Sequence, residues 1–440
     1  MNDIIITGGT VVNHFGRTRC DLSIQNGKIA ALGHPGGPTD HYRRIDAEGK
    51  LVLPGLIDTH VHLGLVRDFD QDCLTESRAA AAGGVTTILP HLISKNDPLD
   101  QLDKAWQAVR RQARVNVGFH LSISSPDHLS AIDQAYAKGI KAFKFFLGYK
   151  GHDSRRLGLG QLDYGLLLQA FKKISVKKGL CLVHAEDWDL IQALLPEYQH
   201  RSGLDAWHEA RADFAEEISI NSVAVLARQT GCRLGIVHVS SSRGLEAIRR
   251  AKRSGIDIFG EACPQYLTLD CHSPDILAPL TAKITPPVRT REDLECLWDG
   301  VRGRDIITSG TDHCSLTKSE KLGTDIWSTR PGFPGLETFL PLLYTKGVRE
   351  KRITLEDLVG LVSHQNAEQY GLATKGCLLP GYDADIVILD PEKEAVVRAN
   401  ALMTSADFTP FEGWSLYGWP CMTIVAGRVI MENGVIVEDA

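Results

Sequence analysis

Two histidines spaced i, i+2 close a short apolar run, Leu56-Ile57-Asp58-Thr59-His60-Val61-His62. On a strand, alternate side chains share a face, so His60 and His62 point the same way. Two neutral imidazoles converging at a strand end are half of a metal site. The ordinary alternative is a pair of buried structural histidines, and the remaining ligands decide between the two. Four more polar residues stand in or just after comparable apolar runs. Lys144 lies inside AFKFFL (142–147), His184 follows LCLV (180–183), His238 follows LGIV (234–237) and Asp312 follows IITSGT (306–311). Each alone has a plain structural reading: a satisfied core histidine, a lysine that snorkels, an aspartate that caps the next helix. Together, His60, His62, Lys144, His184, His238 and Asp312 suffice for a two-metal centre. An ammonium among cations is repelled, but a desolvated lysine has a lowered pKa and is neutral more often. A neutral amine can add CO₂, and the resulting carbamate on Lys144 is an anionic oxygen ligand able to bridge two metals.

Positioning such a set requires strands that end together. From Leu51 the chain alternates strands with amphipathic stretches. Strands are expected to end near His60, His91, Leu121, Leu147, His184, Val239, Glu261 and Thr311. Helical periodicity covers 71–82, stopped by Gly83-Gly84, then 98–114, opened by Pro98, then 128–138, 163–178, 208–230, 243–254 and 291–301. Eight strand-then-helix units predict a (β/α)₈ TIM barrel, whose chemistry sits at the C-terminal ends of the strands. An open doubly wound sheet is the runner-up, but the glycine-rich phosphate loop after its first strand is absent. If Lys144 faces the barrel interior, Phe143 and Phe145 face the helices.

Both ends of the chain have a different texture. Short β-type runs occur at Ile4–Thr7, Asp21–Gln25 and Lys28–Leu32, with Asn26-Gly27 as a hairpin turn. After about residue 376, Ala384–Leu389 reads as a strand and Met422–Ile430 with Met431–Val437 as a hairpin across Asn433-Gly434. Residues 1–53 and 376–440 are therefore expected to form one small β-sandwich domain beside a barrel spanning 54–375.

Composition bounds the function classes. The 440 residues carry a formal net charge of -6 with both signs interspersed, which argues against nucleic acid or an anionic membrane as partner. No apolar run is long enough to span a bilayer, and the N-terminus MNDIIIT lacks a basic, cleavable leader. Ten scattered cysteines without a CxxC read as reduced thiols of a cytoplasmic protein. An inert core role is expected for each, including Cys263 and Cys314 beside residues of interest.

Taken together, these residues resemble the amidohydrolase superfamily, and within it the cyclic amidohydrolases of the hydantoinase/dihydropyrimidinase kind. The likeness runs over nearly the whole chain through PGLIDTHVHL (54–63), AAAAGGVTT (79–87), FKFFLGYKG (143–151), VHAED (183–187), VHVSS (237–241), GEACPQYLTLD (260–270), ITPPVR (284–289), GTDHC (310–314) and KGCLLPGYDADIVILDP (375–391). The resemblance implies a hydrolase that opens the C–N bond of a cyclic amide with a metal-bridging hydroxide. It implies that His60, His62 and Asp312 hold the more buried of two divalent ions, that His184 and His238 hold the other, and that carboxylated Lys144 bridges them. Zinc is the implied occupant; manganese also suits such ligands. Tyr149 would polarise the ring carbonyl, and Asp312 would carry the proton to the leaving nitrogen. Thr285 and Gly332 would contact the ring. A homotetramer or homodimer is implied, with a small cyclic amide as the partner.

Several residues depart from the pattern or stand beside it. Dihydroorotase-like chains carry HxHxR, whereas Gly64 stands here. Pro331 occupies an asparagine's place in the loop RPGFPG (330–335) and has no N–H to donate. Arg67 is either a partner for an acidic substrate or a surface residue. Asp58 is a supporting or structural hydrogen-bonding residue, Glu186 a helix cap, His91 and His120 structural, and His313 turned away from the site. Tyr149 sets the chain apart from allantoinase, the next enzyme alternative. Possession of all six ligands sets it apart from a non-catalytic dihydropyrimidinase-like scaffold.

Overall fold

The computed structural model describes residues 3–33, 42–94 and 96–438; residues 1–2, 34–41 and 439–440 of the expected terminal β layer lie outside this description. Eight parallel strands form the central sheet: Leu56–His62, Val85–Leu92, His120–Ser122, Ala142–Phe146, Leu180–His184, Arg233–Ile236, Ile258–Glu261 and Ile306–Thr308. Most of their residues are buried on both faces, which is why they read as unbroken apolar runs. The eighth strand closes the sheet in two steps. Ile306–Thr308 pairs with the seventh strand, and His313–Cys314 then pairs with Val61 and His62 of the first. The fold is a (β/α)₈ barrel.

Between those two pairings Asn366 fills the seam. Its Nδ2 donates to the carbonyls of Ile57 (2.6 Å) and Ser309 (2.8 Å), and its Oδ1 accepts from Ser309 N–H at 3.3 Å. The side chain thus replaces ladder bonds that the bent strand cannot make.

The helices follow the expected pattern with informative exceptions. Phe69–Ala82 stops at Gly83, where a Cβ would meet the Leu336 carbonyl at 2.3 Å. Pro98–Gln112 starts behind an Asp97 cap. Phe145 does face outward, its ring 5.5 Å from Phe171 on the helix Tyr164–Val176. The single helix expected over 208–230 is two, Leu204–Ala210 and Asp213–Thr230, broken at Arg211, whose side chain turns inward. Trp188–Tyr198 and a succession of short helical turns from Phe339 to Tyr370, two of them π-helical, add to the expected helices.

Among the described residues the terminal segments form two larger sheets and a two-stranded one, Glu394–Val396 with Ser415–Tyr417. The strands Lys28–Leu32, Leu22–Gln25, Ile4–Thr7 and Arg43–Asp46 make one of the larger two, antiparallel except for the parallel edge pair of Ile4–Thr7 with Arg43–Asp46. The other has seven strands and joins the two chain ends: Leu51–Pro54 pairs antiparallel with Ile386–Leu389. The expected hairpin at 422–437 is a three-strand meander, because Ala426-Gly427 turns the chain before Asn433-Gly434 does.

Asn366→Ala would strand one N–H and two carbonyls in the barrel seam. At about 1 kcal/mol for each buried group left unpaired, the variant should lose about 3 kcal/mol of stability, measured as a lower urea midpoint. An unchanged midpoint would show that the seam does not need this bracket.

Candidate metal centre

All six residues singled out by type and spacing come together at the C-terminal mouth of the barrel. His62 Nε2 lies 3.0 Å and His60 Nε2 3.4 Å from Asp312 Oδ1. His184 Nδ1 lies 3.0 Å from His238 Nε2, and Lys144 Nζ 3.5 Å from His60 Nε2. The local backbone is bent to achieve this. The first strand shifts register between Asp58 and Val61, and such irregularities re-aim side chains near active sites. His238 and Asp312 adopt left-handed φ values of 42° and 55°, uncommon for residues other than glycine.

Outer partners orient the rings. Glu261, the last residue of the seventh strand, accepts from His60 Nδ1 at 2.7 Å and from the Thr59 hydroxyl at 2.8 Å. That leaves the His60 Nε2 lone pair facing inward. Glu186 does the same for His184, 2.7 Å from its Nε2, and is itself held by Arg211 at 2.6 Å. The expectation that Glu186 caps a helix is thereby corrected: Asp187 caps Trp188–Tyr198, and Glu186 points into the barrel. Glu261 and Arg211 were missed. A carboxylate ending an apolar strand was the available signal for Glu261; nothing local marks Arg211.

Burial sets the protonation. Desolvation, with the positive charge of Lys144 beside them, holds His60, His91 and His238 well below the usual imidazole range. Burial also brings the Lys144 amine down to about 8, against the opposing pull of Asp312 and Glu261. Burial alone would raise Glu186, yet the Arg211 guanidinium and His184 outweigh it and keep the carboxyl near 2. The result is a dry cluster in which His60 and His238 are neutral nitrogen donors, beside one carboxylate and an amine whose charged form burial disfavours. Two imidazole nitrogens facing each other at 3.0 Å repel unless a proton or a cation lies between them. The donor set therefore fits divalent ions.

The cavity over this cluster is lined by Tyr149, Thr285, Pro331 and Gly332, with Leu65, Ile93, Phe146 and Leu157 as its apolar wall. Tyr149 packs 5.1 Å from the His184 ring and hydrogen-bonds Thr285. The Gly332 N–H donates to the Lys283 carbonyl (3.0 Å) and its own carbonyl accepts from Lys321 Nζ (2.7 Å), so both of its backbone groups are already engaged. Arg67 is tied to Asp72 and the Ser315 carbonyl rather than facing the cavity. Asp58 braces the seam, accepting from the Thr311 hydroxyl and from the N–H groups of Thr311 and His60. His313 turns away toward Glu76. His120 contacts the Thr59 carbonyl, while His91 sits edge-on to His60, ring centres 4.4 Å apart, with neither ring nitrogen hydrogen-bonded. Cys263 and Cys314 stay thiols, raised by burial.

Comparison with known proteins gives a consistent picture. The amidohydrolase family profile matches residues 51–430. L-hydantoinase of Paenarthrobacter aurescens is 33% identical over 100% of this chain and 97% of its own length. D-hydantoinase of Rhizobium radiobacter is 32% identical over 99% and 96% respectively. The crystal structure of dihydropyrimidinase from Brevibacillus agri matches with a TM-score of 0.91 at 28% identity, covering 99% of this chain and 96% of that one.

Glu261→Gln keeps the acceptor toward His60 but removes its charge. Outer partners of this kind are worth about 10- to 100-fold in ion affinity, so the variant should bind zinc at least about tenfold more weakly in a chelator competition. Wild-type affinity would reduce Glu261 to a packing residue.

Proposed function

The chain belongs to the amidohydrolase family, in its hydantoinase/dihydropyrimidinase branch, and on that premise we propose that it hydrolyses a ring C–N bond of a cyclic amide of the hydantoin or dihydropyrimidine type. The observation that carries this reading is the convergence of four imidazoles, a desolvated lysine and an aspartate under a cavity that also holds Tyr149. In this reading His60, His62 and Asp312 hold one divalent ion, zinc by preference. His184 and His238 would hold a second, with Lys144, as its carbamate, completing the ligand set. When bound, the ions supply Lewis acidity and bring a water's pKa toward about 7.

The chain's own groups do the rest. Burial pushes the Tyr149 phenol well above its ordinary range, so it stays protonated and donates to the ring carbonyl oxygen as charge develops there. Asp312 takes the proton released as water attacks and returns it to the departing ring nitrogen. Oxygen is added to the carbonyl carbon, the C–N bond breaks, and the nitrogen leaves protonated. Pro331 lacks an N–H and that of Gly332 is taken, so these two residues offer a ring no backbone donor. Leu65, Ile93, Phe146 and Leu157 suit an apolar ring substituent. We read the protein as cytoplasmic; its ten free thiols support that, eight of them buried. No helix among the described residues is long and apolar enough to cross a membrane.

The test is a turnover screen of zinc-loaded protein against substituted hydantoins, dihydrouracil, allantoin and dihydroorotate. Ring opening is expected with the first two, abolished by chelation and restored by zinc or manganese; full activity in verified metal-free protein would overturn the reading. Lys144→Ala should lose both ions and activity, with partial recovery on adding a small carboxylic acid. Tyr149→Phe should keep its metal content while kcat falls about 100-fold, the usual scale for one oxyanion donor.

A further inference from the structure

At the opposite, N-terminal end of the barrel lies a second group of ligating side chains that the hydrolytic site does not use. His14 follows the strand Thr10–Asn13, His364 ends the π-helical turn Gly360–His364, and Cys377 lies where the chain returns to the terminal sheets. Cys377 Sγ is 3.3 Å from His364 Nδ1 and 3.7 Å from His14 Nδ1. The two imidazoles lie face to face, ring centres 3.4 Å apart and 8° from parallel. All three ligand atoms lie within 4.8 Å of one another. We propose that His14, His364 and Cys377 form a separate cation site for zinc or a similar borderline, thiophilic ion.

Three observations support it. A tetrahedral zinc with Zn–S of about 2.3 Å and Zn–N of about 2.0 Å sets S and N roughly 3.5 Å apart, and the two measured separations bracket that value. The ligands are also held in place by their chain neighbours. The Asn13 side chain grips the Leu378 peptide from both sides, accepting from its N–H at 2.7 Å and donating to its carbonyl at 3.2 Å. Gly376, at φ 83°, lets the return segment press on the helix, for a Cβ there would come within 2.9 Å of the His364 Cα. Finally, the donors are in the right state. Burial, joined at His14 by the neighbouring His364, holds both rings below the usual imidazole range with each Nδ1 turned to the Cys377 sulfur, and Glu368, one turn beyond His364, places negative charge beside both rings, opposed at His14 by Arg304.

Capture of the ion turns the two rings out of their parallel stack until each lone pair meets it. Both rings are half-buried, and His14 borders an open cleft walled by Arg304, Glu356 and Gln365, so there is room for that rotation. Burial raises the Cys377 thiol to about 11; binding therefore expels one proton to solvent as the thiolate forms. Glu368 or a water takes the fourth position. The three ligands come from the terminal sheet, the last helical run of the barrel and the segment linking them, so the ion fastens one layer to the other.

The experiment uses the intact, metal-loaded enzyme and Co²⁺ as the probe. Wild type should take up one equivalent more than Cys377→Ser and show a thiolate-to-cobalt absorption band that both Cys377→Ser and His14→Gln abolish. Added zinc should raise the thermal midpoint of wild type and not of Cys377→Ser, as expected for an ion that binds only the folded state. Ring-opening turnover should be the same in all three proteins, so the result stands or falls separately from the hydrolytic reading. Absence of the band in wild type, its survival in Cys377→Ser, or equal ion uptake and equal zinc-dependent midpoints would each overturn the proposal.

Discussion

The join between the first and last barrel strands governs the rest of the structure. Residues 306–314 cannot pair with both neighbours as one straight strand, so they bond to the seventh strand first and to the first strand only at His313 and Cys314. The bend between these pairings swings Asp312 onto His60 and His62. It leaves Asp312 in a left-handed conformation, which costs an L-residue roughly 1 kcal/mol or more. Two Asp58 oxygens on the Thr311 N–H and hydroxyl, and three Asn366 bonds below, offset that cost. A barrel that closed by a regular ladder would have no aspartate facing its first two histidines.

Gathering these groups in a dry space has its own consequence. Nitrogens packed at 3.0 to 3.5 Å, two imidazoles in one pair and an imidazole with the Lys144 amine in the other, need outer partners that fix the ring orientations. Glu261 and Glu186 perform that task under opposite electrostatics. Burial lifts Glu261 to about 7 while His60 is driven toward its neutral form, so their contact is a hydrogen bond more than an ion pair. Glu186 is held near 2 by Arg211 and remains a carboxylate throughout. The subsite nearer Asp312 thus already has a formal charge of its own, whereas the His184–His238 pair borrows its negative charge from an outer carboxylate.

How much of this was legible in the sequence follows from the range of each interaction. Strand period places His60 and His62 on one face, and apolar runs ending in His184, His238 and Asp312 mark strand ends, because both signals are local. Lys144 was legible for the same reason: a lone charge in AFKFFL has only the barrel interior to face. Glu261 reaches His60 across 201 residues and Arg211 reaches Glu186 across 25, so neither pairing leaves a trace in any local window. The helix break at Arg211 is invisible to periodicity for a related reason: the residue stops being helical because tertiary contacts draw its guanidinium inward. The group at His14, His364 and Cys377 is the extreme case, joining positions more than 360 residues apart.

The terminal sheets act on the site through one short stretch. Leu51–Pro54 is a strand of the seven-stranded sheet and Leu56–His62 is the first barrel strand, with Gly55 as the only residue between them. Gly55 has no room for a side chain, since a Cβ would sit 2.2 Å from the Thr86 hydroxyl oxygen. Its N–H donates to the Asp385 carbonyl at 2.8 Å, its carbonyl accepts from the Ser363 hydroxyl, and the Asp385 side chain in turn holds Asn116 and the Ala426 N–H. The strand bearing His60 and His62 is therefore anchored at its start by groups from both chain ends. With so few residues between anchor and ligand, little backbone freedom remains to let the two imidazoles drift from Asp312. The sheets built from the termini are, on this argument, part of what holds His60 and His62 beside Asp312 rather than an appendage to the barrel.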